Sequence, residues 1–322
     1  MLTSLRRSAP PRLVGALLWL ALGLACASAL PADETAPGPL RILLTNDDGF
    51  EATGILAMRE ALVAAGHHVT LVAPRENQSG SSVGVDFGFE GPLDVKRHAP
   101  GVWSVGGRPA DAVLVGLRAV LADDPPDLVV SGANLGQNIG QIANSSGTVG
   151  AAIMAIQQGV PAIAISVGIR LDEVSTKPRP FPSTFAAFPA AADFGVRLIR
   201  ELERRTPEGA PLLPPRTALN VNYPALPRDR VQGVKVTRLG QTASVTPHYE
   251  DLGDGRYAVR LEAGSSQEPV EPADTTYFRR GYITITPLDG NWTASGWTIP
   301  AFVELVPFGS QAAGEASRVP AP

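Results

Sequence analysis

Cysteine is almost absent from this chain: Cys26 is the only one in 322 residues. A mature protein cut after Ala29 has none, which removes disulfides, thiolate nucleophiles and cysteine-ligated metal together and leaves stability to a packed core. Histidine is scarce too. His67 and His68 sit in a turn before an expected strand, His98 and His248 lie in polar loops, and none stands at a metal-ligand spacing. A histidine-built zinc centre and a histidine-driven serine hydrolase are therefore not expected. Excess charge of one sign is missing as well, since 27 Lys and Arg face 31 Asp and Glu, for a net charge of −4 with no basic stripe. That excludes a nucleic-acid polymer as the main partner and leaves small-molecule chemistry. Of the few aromatics, Trp292 and Trp297 read as core or interface residues rather than a binding platform.

What is present begins with an N-terminal succession. Arg6, Arg7 and Arg12 precede the apolar run Leu13 to Ala25, and Ala27-Ser28-Ala29 offers a small-x-small cleavage site. Residues 1–29 thus read as an export signal, which places the mature protein in the periplasm with no stable membrane insertion once the signal is cut. An uncleaved spanning helix over Leu13 to Leu30, a lipid on Cys26 and the twin-arginine route are the alternatives. Residues 30–39 form a proline-bearing linker, and 309–322 a low-complexity tail expected to be disordered.

Between linker and tail, strand and helix patterns alternate. Ile42 to Leu44 is an unbroken apolar run, as in a strand buried on both faces, and it ends in Asn46-Asp47-Asp48-Gly49. A helix over Gly54 to Ala65 follows, then a strand over Val69 to Ala73, a helix over Ala110 to Leu121 and a strand over Asp127 to Ser131. A long Gly- and Asn-rich stretch, 132–150, opens into a helix over Ala151 to Gln158 and a strand over Ala162 to Ser166. A long helix, Thr184 to Arg205, is expected to be interrupted at Pro189. This is the pattern of an α/β, Rossmann-like, doubly wound parallel sheet over residues 40–215. Beyond it Ala218 to Tyr223, Val234 to Leu239, Arg256 to Leu261 and Tyr282 to Thr286 read as strands, so 216–308 is expected to be a β-rich extension serving oligomerisation.

Three strand ends carry polar groups: Asp47 and Asp48 after the first, Ser79 soon after the second, and Asn134 just after the third. In an open α/β sheet that edge is where ligands bind. Two adjacent carboxylates would repel unless a cation lay between them, and an all-oxygen ligand set suits Mg²⁺ or Mn²⁺. A polar turn with one aspartate as N-cap is the plainer reading of the same residues. Ser146-Gly147-Thr148 sits before a helix, where unpaired N–H groups favour an anion, although an ordinary N-cap would look the same. Cation and anion pocket on one edge suggest phosphoryl chemistry.

These segments resemble the survival protein E (SurE) family of metal-dependent 5′/3′-nucleotidases. The resemblance covers about Leu40 to Leu288 and is carried by Arg41 through Gly49, Asn77-Gln78-Ser79-Gly80, Pro109-Ala110-Asp111, Asp127 through Asn138, Ser146 through Ala152, Leu219-Asn220-Val221-Asn222 and Gly281 through Leu288. It implies a divalent metal held by Asp47, Asp48, Ser79 and Asn134, and a phosphate pocket lined by Asn138, Ser146, Gly147 and Thr148. It also implies Asp47, Asp48 and Asn138 as catalytic residues, a nucleoside monophosphate or another small phosphate ester as substrate, and a homodimer or homotetramer. A broad acid phosphatase or polyphosphatase, or a non-catalytic exported binding protein, is the alternative. Gln78 stands where the family usually has Arg or Lys, and Ser145 where it usually has Tyr, so substrate grip is where this chain departs. The proton-transfer group is left open between Asp48 and a second water.

Overall fold

The structure, a computed structural model, describes residues 38–292 apart from 90, 208 and 266. The export signal and most of the linker, the tail, and the end of the β-rich segment with Trp297 lie outside them. In chain order the elements are β1 (Arg41–Thr45), α1 (Thr53–Ala64), β2 (His68–Pro74), β3 (Val95–Ala99), β4 (Val102–Val105), α2 (Pro109–Val115) and β5 (Leu128–Leu135). They continue as α3 (Gly147–Gln157), β6 (Ala162–Val167), α4 (Pro182–Arg205), β7 (Ala218–Tyr223), β8 (Val234–Val236), β9 (Val245–Gly253), β10 (Arg256–Ala263), α5 (Asp274–Arg279) and β11 (Ile283–Leu288).

Nine strands form one sheet in the order β3-β4-β2-β1-β5-β6-β7-β11-β8. From β4 through β7 neighbouring strands run parallel, while β3 and β11 join antiparallel to β4 and β7. The chain moves outward from β1 in one direction to β2 and later in the other to β5, so the sheet's switch point lies between β1 and β5. Alternating side chains enter two layers: Ile42, Leu44, Leu128 and Val130 pack under α1 and α4, whereas Leu43, Val72, Val129 and Ala164 pack under α2 and α3. Full burial of each such side chain contributes roughly 1.5–3 kcal/mol, which is why the apolar runs are uninterrupted.

Three differences from the sequence expectations have physical causes. The β5 strand runs to Leu135 instead of stopping at Ser131, because Gly132, with φ +129°, shifts the register against β6 and lets pairing resume at Asn134 with Ser166. A Cβ at Gly132 would stand 2.2 Å from the Ile165 carbonyl oxygen. The α4 helix is continuous through Pro189, whose ring faces solvent while Phe188, Ala191, Ala192 and Ile199 hold the other side of the helix on the core. Strands β7, β8 and β11, expected within a separate β-rich segment, extend the main sheet. Only β9 and β10 stand apart, as a two-stranded hairpin. No helix among the described residues is long and apolar enough to cross a membrane.

Candidate active site

The turn after β1 lies at the switch point and turns both aspartates into it. Asn46 Nδ2 donates to the Gly49 carbonyl at 2.8 Å, and the Gln78 N–H donates to the Asp47 carbonyl at 2.7 Å, so the turn is held from within and from the loop after β2. The Asp48 carboxylate is tied on both oxygens, Oδ2 accepting from the Leu135 N–H at 2.9 Å and Oδ1 from Asn77 Nδ2 at 3.3 Å. Asp47, only 3 % exposed, accepts from Thr148 Oγ1 at 2.6 Å and faces the N–H groups of Gly147 and Thr148. Burial raises the pKa of Asp47 despite those donors, and burial followed by repulsion from Asp47 raises Asp48 to about 7.

Ser79 and Asn134 are tied to the aspartate turn by different routes, Ser79 through Asn77 and Asn134 through the next residue, Leu135. Asn77 Oδ1 accepts from the Ser79 N–H at 3.0 Å while its Nδ2 reaches Asp48, so Asn77 joins the loop after β2 to the acid pair. Asn77 was named within a family motif but given no role; its signal was an amide two residues before Ser79, the spacing of an Asx turn. Asn134 stands inside β5, not beyond it, and its Nδ2 donates to the Gly136 carbonyl at 2.7 Å, leaving the amide oxygen open. Among the described residues no group of three or more His, Cys, Asp or Glu gathers to hold a metal, so a cation here would draw on two carboxylates and neutral oxygens. A buried Asp47 and a half-buried Asp48, both with raised pKa values, and the open amide oxygen of Asn134 in the strand that bonds Asp48 fit a hard divalent cation.

The helix start differs from expectation. The α3 helix begins at Gly147, four residues before Ala151, because Ser146 caps it: the Val149 N–H donates to Ser146 Oγ at 3.1 Å. The Ser146 hydroxyl is therefore occupied by the helix, and the Thr148 hydroxyl by Asp47. Gly147 brings the helix close against Asp47. A Cβ there would lie 2.8 Å from Asp47 Cβ and from Ser81 Oγ, so only glycine lets the first turn of α3 meet the acid pair. Asn138 is buried nearby but bonds to Ser166, Asn220 and Asn222, with no hydrogen bond to either aspartate. Gly80-Ser81-Ser82-Val83-Gly84 has the spelling of a nucleophile elbow, yet it lies in a loop, and Ser82 Oγ donates to the Asn144 carbonyl at 2.7 Å.

The sequence profile described as "Survival protein SurE" matches residues 42–246, which include every one of these groups. The chain belongs to the SurE family. It is 35% identical over 271 residues to the 5′-nucleotidase SurE of Roseobacter denitrificans, spanning 81% of this chain and 98% of that one. Its identity to the 5′-nucleotidase SurE of Syntrophobacter fumaroxidans is 40% over 261 residues, spanning 79% and 95%. Among solved structures the SurE protein of Aquifex aeolicus is similar at TM-score 0.62 and 33% identity, over 79% of this chain and 94% of that one. Within this SurE-family site, the two departures in sequence take local roles: Gln78 fastens the Asp47 turn through its N–H, and Ser145 Oγ donates to the Ile142 carbonyl at 3.1 Å.

Proposed function

We propose that this chain is a divalent-metal-dependent phosphomonoesterase that hydrolyses nucleoside 5′- or 3′-monophosphates to nucleoside and phosphate. The observation that carries the reading is the contact between the buried Asp47 of an adjacent aspartate pair and the first turn of α3, with Gly147 against it, in a chain of the SurE family. The names of its relatives, 5′-nucleotidases, support the substrate class.

Asp47, Asp48, Asn134 and Ser79 would hold the cation, which when bound supplies Lewis acidity to a phosphoryl oxygen and makes water a better nucleophile. The chain's own part is to place charge. Thr148 and the N–H groups at the start of α3 keep Asp47 oriented, and the same helix end favours a phosphate brought beside it. Without a cation, burial and then repulsion from Asp47 raise Asp48 to about 7; a cation bound to it would favour the ionised form, so the water's proton passes to Asp48 only where that carboxylate is not committed to the metal, and otherwise to a second water. The two hydrogen bonds of Asp48 keep it from swinging away from the site.

A homodimer or homotetramer is part of the proposal. It is supported by the β9–β10 hairpin, where Tyr249, Tyr257, Val259 and Leu261 are exposed and alternate onto one face. The proposed setting is the periplasm, on the basic, apolar and small-residue succession ending at Ala29. Phosphate release with Mg²⁺ or Mn²⁺ from a panel of nucleoside 5′- and 3′-monophosphates, p-nitrophenyl phosphate and inorganic polyphosphate tests the function. Preference for the nucleotides is expected. Equal turnover of every ester points to the broad phosphatase, and none at all to the binding protein. Mass spectrometry of the mature N-terminus tests export, and an intact Met1 or a lipid on Cys26 sinks the soluble periplasmic form.

A further inference from the structure

Three asparagines meet under the loop that leaves β5. The N–H of Asn138 donates to Asn222 Oδ1 at 2.7 Å, and its carbonyl accepts from Asn220 Nδ2 at 2.7 Å and Asn222 Nδ2 at 3.3 Å. Its side-chain Nδ2 donates to Ser166 Oγ at 2.9 Å. The Asn222 amide thus grips both main-chain groups of one residue, as a neighbouring strand would, and fixes the peptide planes on either side of the Asn138 Cα. Ser166 sets the rotamer. One amide N–H and the amide oxygen of Asn138 are left for a ligand.

The placement of Asn220 and Asn222 is costly for a strand. On the opposite face of β7, Leu219, Val221 and Tyr223 join the core, and an apolar residue at 220 or 222 would avoid desolvating an amide. Both asparagines are nonetheless fully buried, and Asn220 Oδ1 has no hydrogen-bond partner among the described residues. The loop above them is what their polar groups serve.

We propose that Asn222 is a positioning residue, whose side-chain amide holds the backbone of Asn138 so that the Asn138 side chain faces the phosphate ester. This rests on the phosphomonoesterase reading and on Asn138 belonging to its site. The test is a double-mutant cycle on kcat/KM for a nucleoside monophosphate at saturating Mn²⁺, using Asn138→Ala, Asn222→Ala and the pair. Because Asn138→Ala keeps the gripped backbone and removes only the side chain, Asn222 should have nothing left to position in that background. The expected result is a loss of roughly 10- to 100-fold in each single variant and a double variant within about twofold of the worse single. Asn222→Asp, which keeps the acceptor for the Asn138 N–H, should recover part of the loss, and it replaces Asn222→Ala in the cycle if that variant does not fold.

Multiplying losses would overturn the proposal, because Asn222 would then act elsewhere. So would a lowered melting temperature with unchanged kcat/KM, the mark of a merely structural amide. Wild-type protein inert toward every monophosphate overturns the phosphomonoesterase reading and this inference with it, whereas active wild type with multiplying losses sinks the positioning role alone.

Discussion

Two regions each set a buried aspartate beside a half-buried acid, and they differ in the donors that the second acid receives. Beside α5, Asp274 is fully buried and takes the N–H groups of Gly240 at 2.8 Å, Thr275 at 2.7 Å and Gly140 at 3.1 Å. Its neighbour Glu268 accepts from the N–H groups of Gln241, Thr242 and Val270 and the hydroxyls of Thr242 and Thr275. Burial raises Asp274 despite its donors, whereas at Glu268 the donors outweigh burial and hold it down at about 2. At the switch point, by contrast, Asp48 has one N–H and one amide for its two oxygens and sits against a second acid. The first pair staples the loop around Gly140 to the segment around Gly240. In the second pair Asp48 is left short of donors, which suits the proposed cation.

The largest effect that would break this comparison is on turnover. Asp47→Asn should leave a folded protein whose kcat/KM for a nucleoside monophosphate is down about 10³-fold, or about 4 kcal/mol; a loss under about tenfold, or full activity in excess chelator, removes the cation from the account. Gly147→Val should follow with about 10²-fold, because its Cβ would stand 2.8 Å from Asp47 Cβ. Wild-type efficiency in that variant would mean the phosphate does not sit at the start of α3.

Sharper still is a pair of identical substitutions with opposite signs. Asp274→Asn sets an amide N–H₂ where Oδ2 met the Gly140 N–H, and should cost about 2 kcal/mol, seen as a melting temperature roughly 4–8 °C lower. Asp48→Asn should do the reverse in metal-free protein above neutrality. Asp48 is raised from 3.8 to about 7, so the folded state keeps a proton the unfolded state has lost, and stability falls as pH climbs through that window. Melting in chelator from pH 4 to pH 8 should show the variant matching its parent at the acid end and exceeding it by about 1–2 kcal/mol at the alkaline end. A parallel pair of curves would mean that Asp48 is not strained by its surroundings. The smallest effect belongs to Gln78→Arg. A charge-assisted hydrogen bond added to a working phosphate site should lower KM by about threefold, and an unchanged KM would place residue 78 out of the substrate's reach.

Much of the scaffold was legible because burial on both faces of a parallel strand writes itself as an apolar run. Ile42 to Leu44 and Ala162 to Ser166 were found on that ground, and Ala218 to Tyr223 matches β7 end for end. What was missed lacks that signature. Val95–Ala99 is an exposed edge strand of mostly polar residues, held only by its antiparallel bonds to β4. The helix over Ala110 to Leu121 is regular only to Val115, after which Gly116–Val120 takes a wider π-helical turn. At the site, Asp47 and Asp48 stood out because adjacent acids after a buried strand are chemically conspicuous. Asn77, Asn220 and Asn222 did not, because an amide's role is set by what it faces.

By itself the sequence determined the alternation of strand and helix, the polar residues at the carboxyl ends of strands, and the oxygen character of the donors, since periodicity and residue chemistry are local properties. The tertiary structure alone decided that β7, β8 and β11 join the main sheet, that Asn134 lies within β5, that the Ser146 and Thr148 hydroxyls serve the helix and Asp47, and that Asn138 is gripped from β7. The Thr148 and Asn138 outcomes depend on hydrogen-bond partners some 80 to 100 residues away in the chain, for which a single sequence carries no local sign, whereas the Ser146 cap is a local bond to Val149 that the N-cap reading already allowed.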